Sequence, residues 1–336
     1  MFSFHRLYPC LSKKIQLKKL AATFCSLVLG LCLLIFFYST IVTLSADVVS
    51  AVVIDEAMKQ TELLDPSLSN PDLPDLVVTT THYIDKTRTN LAVSAYPGTS
   101  LISVTNSAGF TIGQEILIIV MQGSDTGVYE THRIQALNDH QMVLSDTLIN
   151  GFNTLSNTVA VQNIPHYKNV VVKDGGVLTA HNWDGYTGGV LFFRANELLV
   201  ESGGSVDVSG LGYRGGNFDY ENVYQPSFQG ESYLFGYGDR AKNSNSCAGG
   251  GGISHKGQYI DWSIGSGGGG GHISSGQNGL SEFEDTLVYG IGGEISDDYT
   301  SFNLMFGCGG GSGGHDIEVN GRFGGAGGNG GGIIWI

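Results

Sequence analysis

Two stretches decide the fold: Lys173-Asp174-Gly175-Gly176-Val177-Leu178-Thr179-Ala180 and Glu201-Ser202-Gly203-Gly204-Ser205-Val206-Asp207-Val208-Ser209-Gly210. Each runs from polar residues through a Gly-Gly pair into an alternating strand, and the two lie about 30 residues apart. Val206 and Val208 alternate with Ser205, Asp207 and Ser209, which sends one set inward and the other outward. Self-similarity at that spacing predicts stacked rungs of a parallel β-helix, because a single unit cannot bury its own apolar face. Residues 166–210 are therefore expected to be β-helix-like rungs.

Upstream, residues 91–165 hold short β-branched and aliphatic runs such as Glu115-Ile-Leu-Ile-Ile-Val-Met-Gln-Gly123. Turn signals punctuate them at Pro97-Gly98, Ala108-Gly109, Gly123-Ser124, Asn138-Asp139 and Asn150-Gly151. Such spacing predicts a small β barrel or sandwich-like domain. The runs Phe110–Glu115 and Arg133–Leu144 resemble the lead-in β domains of extracellular β-helix proteins, a structural module that implies no chemistry. The blocks at 188–195 and 206–216 resemble the glycine-rich repeat regions of large bacterial secreted or surface proteins, often described as adhesin-like. That resemblance spans roughly residues 91–336 and implies exposure and an adhesion-like role, with no catalytic residues attached.

Of 51 glycines, 39 fall after residue 200. Residues 211–336 alternate glycine runs with Trp262, Phe283, Tyr289, Phe302, Met305, Phe306 and Phe323. Glycine loses the most freedom on ordering, yet a disordered linker lacks apolar anchors of this kind. Ordered packing is expected, either as rung insertions or as close-packed extended glycine segments. The composition is similar to the extracellular glycine-rich region of certain receptor tyrosine kinases, although no kinase domain is present. The final Gly331-Gly332-Ile333-Ile334-Trp335-Ile336 matches Gly188-Gly189-Val190-Leu191-Phe192-Phe193, so another rung begins there, and a truncated chain is expected.

Residues 21–46 contain no charged side chain, and Lys13, Lys14, Lys18 and Lys19 precede them. The span is long enough to cross a bilayer, with the basic flank held inside. Residues 1–46 thus read as a signal-anchor helix or a signal peptide, with Leu44-Ser45-Ala46 and Val49-Ser50-Ala51 as cleavage candidates. The Pro-, Ser- and acid-bearing residues 47–90 read as a linker. The body beyond is expected outside the cell, membrane-held or secreted according to cleavage.

The formal net charge is −14 over 336 residues, and the basic residues of 1–46 make the remainder more acidic still. That excludes a phosphate-binding surface, which needs clustered Lys and Arg, and nucleic acid as a partner. No phosphate loop, GxSxG or HExxH occurs. Gly310–Asp316 approaches a calcium nonapeptide, but its acid falls one place late and the motif does not recur. No metal and no cofactor are expected. Asp207, Asp219, Glu221 and Asp239, near Arg214 and Arg240, are the acids a β-helix polysaccharide enzyme would use, and solvated loops are the plainer reading. In the run 181–189, His181, Trp183, Asp184 and Tyr186 form a polar-aromatic group. A sugar could stack on Trp183 or Tyr186 with Asp184 on its hydroxyls, or the tryptophan could cover the core. Cys247 and Cys308 are the only cysteines of the exported body, and an oxidising compartment permits their pairing. The expected protein is an all-β surface protein of structural or adhesion-like type, not an enzyme, with a surface glycan or protein as ligand. Its alternatives are a polysaccharide-active β-helix enzyme and a non-catalytic carbohydrate-binding module.

Overall fold

The computed structural model describes residues 73–217, 225–244, 246–256, 262–281, 288–295, 304–315 and 324–336. The apolar segment 21–46 lies outside these residues, as do Asp219, Tyr220, Glu221, Tyr224, Phe283, Phe302, Asp316 and Phe323. The described residues are all-β, with no helix among them.

Parallel coils form the frame. β1 (Leu76–Val78) pairs with β9 (His166–Val172), and β9 with β12 (Arg194–Val200), all in parallel. After a turn, β2 (Thr81–Tyr83) pairs with β10 (Val177–Thr179), and β10 with β13 (Ser205–Val206), again in parallel. A third column joins β11 (Val190–Phe192) to β16 (Ile333–Trp335), residue for residue from Val190↔Ile333 to Phe192↔Trp335. The repeated Gly-Gly pairs turn the second and third coils. Gly175 and Gly203 adopt φ of 74° and 83°, a region closed to most side chains, and a Cβ on Gly176 or Gly204 would fall against the backbone of the coil beside it. Val78, Val170, Val172, Leu178, Leu191 and Phe193 fill the coil interior, with Val206 and Val208 packed against them.

The first coil lies inside the segment expected to be linker. Residues 76–90 contribute strands to three sheets, a correction to the 47–90 assignment. Strands of three residues with polar turns between them carry no visible period, and their partners lie some ninety residues further on.

Between the first and second coils the chain builds a six-stranded antiparallel sheet, in the order β3 (Arg88–Asn90), β8 (Asn157–Ile164), β5 (Glu115–Gly123), β6 (Tyr129–Asn138), β7 (Gln141–Leu144), β4 (Leu101–Ser103). Its outer strands meet. Leu91 bridges Val104, Ala92 N–H donates to Ser103, and Thr105 N–H donates to Asn90, so the sheet closes on itself. β5 is buried along its whole length because its two faces serve two cores. Ile116, Ile118 and Val120 fill the closed sheet, whereas Leu117, Ile119 and Met121 pack with Phe192, Trp183 and Ile333 of the coils. That double duty explains an apolar run without alternation.

Residues 211–332 connect β13 to β16 and so form an insertion within the third coil rather than a terminal domain. A short antiparallel pair, β14 (Ser254–Lys256) and β15 (Trp262–Ile264), lies within it. The described remainder is glycine-rich, in extended segments with an unusual bonding rule. Gly249 and Gly252 N–H donate to Gly309 and Ser312, Gly250 and Ile253 donate to Ile291 and Val288, and Gly251 turns to Ala241. The step recurs where Gly265, Gly268 and Gly271 donate to Ile253, Gly250 and Cys247, and where Gly307, Gly310 and Gly313 donate to Gly331, Gly328 and Gly325. Residues three apart share a neighbour and adjacent residues face different ones. This is the signature of polyproline-II helices, three residues per turn with no internal bonds, here bonded sideways into a bundle. The spacing leaves no room for side chains: a Cβ on Gly250, Gly293 or Gly330 would land on the carbonyl of Lys242, Cys247 or Gly307.

Candidate functional site

The polar-aromatic run predicted at 181–189 follows β10 and leads into β11. The structure separates its members. Trp183 is 3% exposed, packed edge-on against Tyr213 and Phe306, and offers no face to a sugar. It covers the core, so its ligand-stacking role is withdrawn. Asp184 is committed to the turn, its Oδ1 accepting the Tyr186 and Thr187 backbone N–H groups at 2.8 Å each. Tyr186 is 68% exposed.

Beneath the turn lies a buried carboxylate, Glu231. Its oxygens accept from Gln122 Nε2 (3.0 Å), Trp183 Nε1 (3.1 Å), and Arg214 N (3.0 Å), Nε (2.8 Å) and Nη2 (2.9 Å). A charge can stay buried only when so satisfied. Glu231 raises the Arg214 pKa, and burial, reinforced by the Glu231 charge, pushes the Tyr213 phenol well up. The group ties β5, the coil turn and the glycine insertion at one point. Cys247 and Cys308 are joined by a disulfide with Cα atoms 5.7 Å apart, linking two glycine segments.

Of the acids proposed for polysaccharide chemistry, Asp207 and Asp239 fall among the described residues. Asp207 caps its own turn through Ser209 N–H at 2.8 Å, which lowers its pKa. Asp239 takes part through its backbone, its carbonyl accepting from Gln229 N–H. Other buried carboxylates serve as ties. Burial pushes the Glu115 carboxyl up, but hydrogen bonds from His166 (2.6 Å) and Arg194 (2.8 and 3.0 Å), together with the guanidinium charge, outweigh it and hold the pKa at about 2. Glu130, also buried, is held down by His132 and by the Asn150 and Ile149 N–H groups.

His181 is the member of the run that acquires an arrangement suited to a ligand. Its Nδ1 lies 2.7 Å from Asp85 Oδ1, which also accepts the His181 backbone N–H at 2.9 Å. Asp85 is 0% exposed, and its Oδ2 has no hydrogen-bond partner among the described residues. A carboxylate only accepts, so Nδ1 carries a proton and donates it to Asp85. The 3.1 Å approach of Arg88 Nη1 to Nδ1 is then a contact rather than a bond. Arg88 donates through Nη1 to Asp85 O (2.9 Å) and through Nε to Thr187 Oγ1 (3.2 Å). The His181 side chain is 38% exposed and stacks on Tyr83, ring centroids 4.3 Å apart. Sequence reading missed Asp85, Arg88 and Tyr83 because all three lie in the supposed linker.

No family model and no curated protein matches this sequence. Solved structures give slight likenesses to phage tailspikes. One is from Pseudomonas phage phi297, at 10% identity over 32% of this chain and 25% of that one, with a TM-score of 0.22. Another, from Acinetobacter baumannii bacteriophage AP22, was solved in complex with a capsular saccharide of A. baumannii; it shows 11% identity over 38% and 22%, with a TM-score of 0.23. A third, from Pseudomonas phage LKA1, shows 14% identity over 38% and 28%, with a TM-score of 0.21. The chain spans about a quarter of the length of these structures. At scores this low, the likenesses decide nothing about ligand or activity.

Proposed function

We propose that this chain is an exported surface protein of structural, adhesion-like type, without catalytic activity, in which a parallel β-helix carries a glycine bundle as a rigid contact platform. The observation that carries this reading is the bundle itself. Residues 211–332 hold segments bonded through their backbones at three-residue steps and fastened by a disulfide, a construction that supplies shape and stiffness. The disulfide suits an oxidising exterior. The buried acids support the absence of catalysis, because Glu115, Glu130 and Glu231 are each occupied by internal partners. The hydrophobic segment 21–46 would deliver the body across the membrane and hold it there unless cleaved.

The test is made on intact bacterial cells expressing the full chain. A membrane-impermeant amine reagent should label it, labelling should vanish when residues 21–46 are deleted, and the cells should gain adhesion to glycan- or protein-coated surfaces. Labelling only after lysis overturns the exported location. Release of reducing ends from a polysaccharide panel by the purified chain overturns the non-catalytic reading.

A further inference from the structure

We infer that a groove in the glycine bundle binds one further polyproline-II strand, a peptide of Gly-Gly-X repeat presented by another molecule; this rests on the contact-platform reading and names the partner's chemistry. A polyproline-II helix has three residues per turn and no internal bonds, so its N–H groups point three ways and its carbonyls three ways, serving up to six neighbours. Segment 307–314 has five among the described residues. In order round it stand 325–331, 213–216, 228–231, 247–253 and 265–271, each bonded to the next. Its N–H groups serve the first, third and fifth of these, and its carbonyls serve the second, through Gly307 and Gly310, and the fourth, through Gly309 and Ser312. The third set, the carbonyls of Cys308 and Gly311, accepts no N–H among the described residues. Their direction follows from what they touch. Gly307 O lies against Gly330 and bonds Tyr213 of the next segment round, and Gly309 O lies against Gly230 and bonds Gly249 of the next. Cys308 O and Gly311 O lie against Gly270 and Gly267, where a Cβ would fall 2.1 and 2.0 Å away, so the same rotation points them past 265–271 to the sixth place. That place is a groove of about 710 Å³ lined by parts of 266–274, 307–313 and 325–331.

One wall offers donors to match. In 265–271 the N–H groups of Gly265, Gly268 and Gly271 serve 247–253 and those of Ser266 and Gly269 serve 277–280, whereas those of Gly267 and Gly270 have no acceptor among the described residues. Donor and acceptor directions alternate round this helix as they do round 307–314. Its carbonyls toward 307–314 have N–H groups toward 247–253 on one side, which leaves the Gly267 and Gly270 N–H groups on the other, toward the groove. Acceptors and donors both repeat every three residues, about 9 Å at the polyproline-II rise. A β-strand repeats at about 6.5 Å and would fall out of register. The closeness of the walls sets the sequence. Segment 324–332 reads Gly-Gly-Ala-Gly-Gly-Asn-Gly-Gly-Gly, with side chains only at Ala326 and Asn329, one residue in three. A strand held between three segments must obey at least that rule. This chain's own described run of that repeat is already bonded into the bundle, so a second copy has none to offer and the strand comes from a different molecule. Main-chain bonds would supply its affinity, and the close approach its selectivity.

The experiment uses the full chain in detergent, with an end-capped peptide of three Gly-Gly-Asn repeats as probe and hydrogen exchange resolved to single amides as readout. Saturating peptide should slow exchange at Gly267 and Gly270 at least about ten-fold. Three further peptides are N-methylated, each at a different one of the three repeat positions. The set whose N–H groups meet Cys308 O and Gly311 O should bind at least about ten-fold more weakly, and the other two sets should bind as before. Gly328→Trp, whose side chain would start in open space at a residue lining the groove, should weaken binding by a similar factor. The N-methylated series leaves the protein unchanged, so its result stands if Gly328→Trp is destabilised. No slowing at the two amides, or equal loss from all three N-methylated peptides, overturns the proposal. So does slow exchange there before peptide is added: if independent of protein concentration, the chain fills its own groove, and if it strengthens with concentration, a second copy does. If the peptide fails to bind while intact cells are labelled and adhere to coated surfaces, the groove fails and the platform survives; if labelling occurs only after lysis, both fail.

Discussion

In the coils, strands bond edge to edge, β9 between β1 and β12 and β10 between β2 and β13, and send Val, Leu and Phe into a core. In the glycine insertion, segments bond to neighbours in several directions and their glycines send in nothing, although Tyr213 and Phe306 reach the core beside Trp183. The first arrangement draws its stability from apolar burial and tolerates some change of side chain. The second depends on close approach of bare backbones and tolerates none at the inward positions. Glycine also begins with more freedom to lose, so the insertion needs outside help. Two fastenings supply it: the Cys247–Cys308 bond and the Glu231 group.

The comparison can be broken at these points, the largest effect first. Replacing Glu231 with Ala strands Arg214, Trp183 and Gln122 and should cost about 4 kcal/mol; because the group touches all three parts, one cooperative melting transition should split into two by calorimetry. Reducing the disulfide should also cost about 4 kcal/mol by the chain-entropy estimate, but confined to the insertion. Hydrogen exchange should rise across residues 247–314 and leave β5, β8 and β9 protected. Gly293→Ala should cost about 3 kcal/mol through overpacking, whereas Gly328→Ala, which meets open space, should stay within about 0.5 kcal/mol in chemical denaturation.

Acid probes the other region. Glu115 has a folded pKa of about 2 against an ordinary 4.5, so it binds its proton more readily once unfolded. Its contribution is fully present above pH 4.5 and fades as pH falls toward 2, about 3 kcal/mol in all. Glu115→Gln should flatten that part of the stability–pH curve. A curve unaltered by the substitution would show that the tie from β5 to β9 and β12 carries no stability.

How much of this could be read beforehand follows from where the period is written. Gly175 and Gly203 advertise the coil turns because positive φ selects glycine at fixed offsets from a β-branched strand. The match of Ile333–Trp335 to Val190–Phe192 was visible for the same reason, since side chains display the repeat. The bundle's three-residue rule was hidden, because a run of glycines shows no side chain from which to count. Only afterwards does the alternation at Gly324, Gly327 and Gly330, closed to a Cβ, and Gly325, Gly328 and Gly331, open to one, reveal it. The His181–Asp85 pair was half legible. His181 stood in a conspicuous run, but its partner Asp85 is 96 residues away, across the whole closed sheet.

The pairing of β11 with β16 also bears on the order of events during synthesis. The third side of the third coil is Ile333–Trp335, and Trp335 caps Phe192 and Tyr129 with its ring centroid 4.7 Å from each. A chain made from its N-terminal side presents β11 long before that lid arrives. Until some 140 intervening residues have emerged, an apolar edge stands open to stray strands. Closure of the third coil should therefore wait for Ile333–Trp335, and a helper that shields nascent edges would matter more here than for a protein assembled from local contacts.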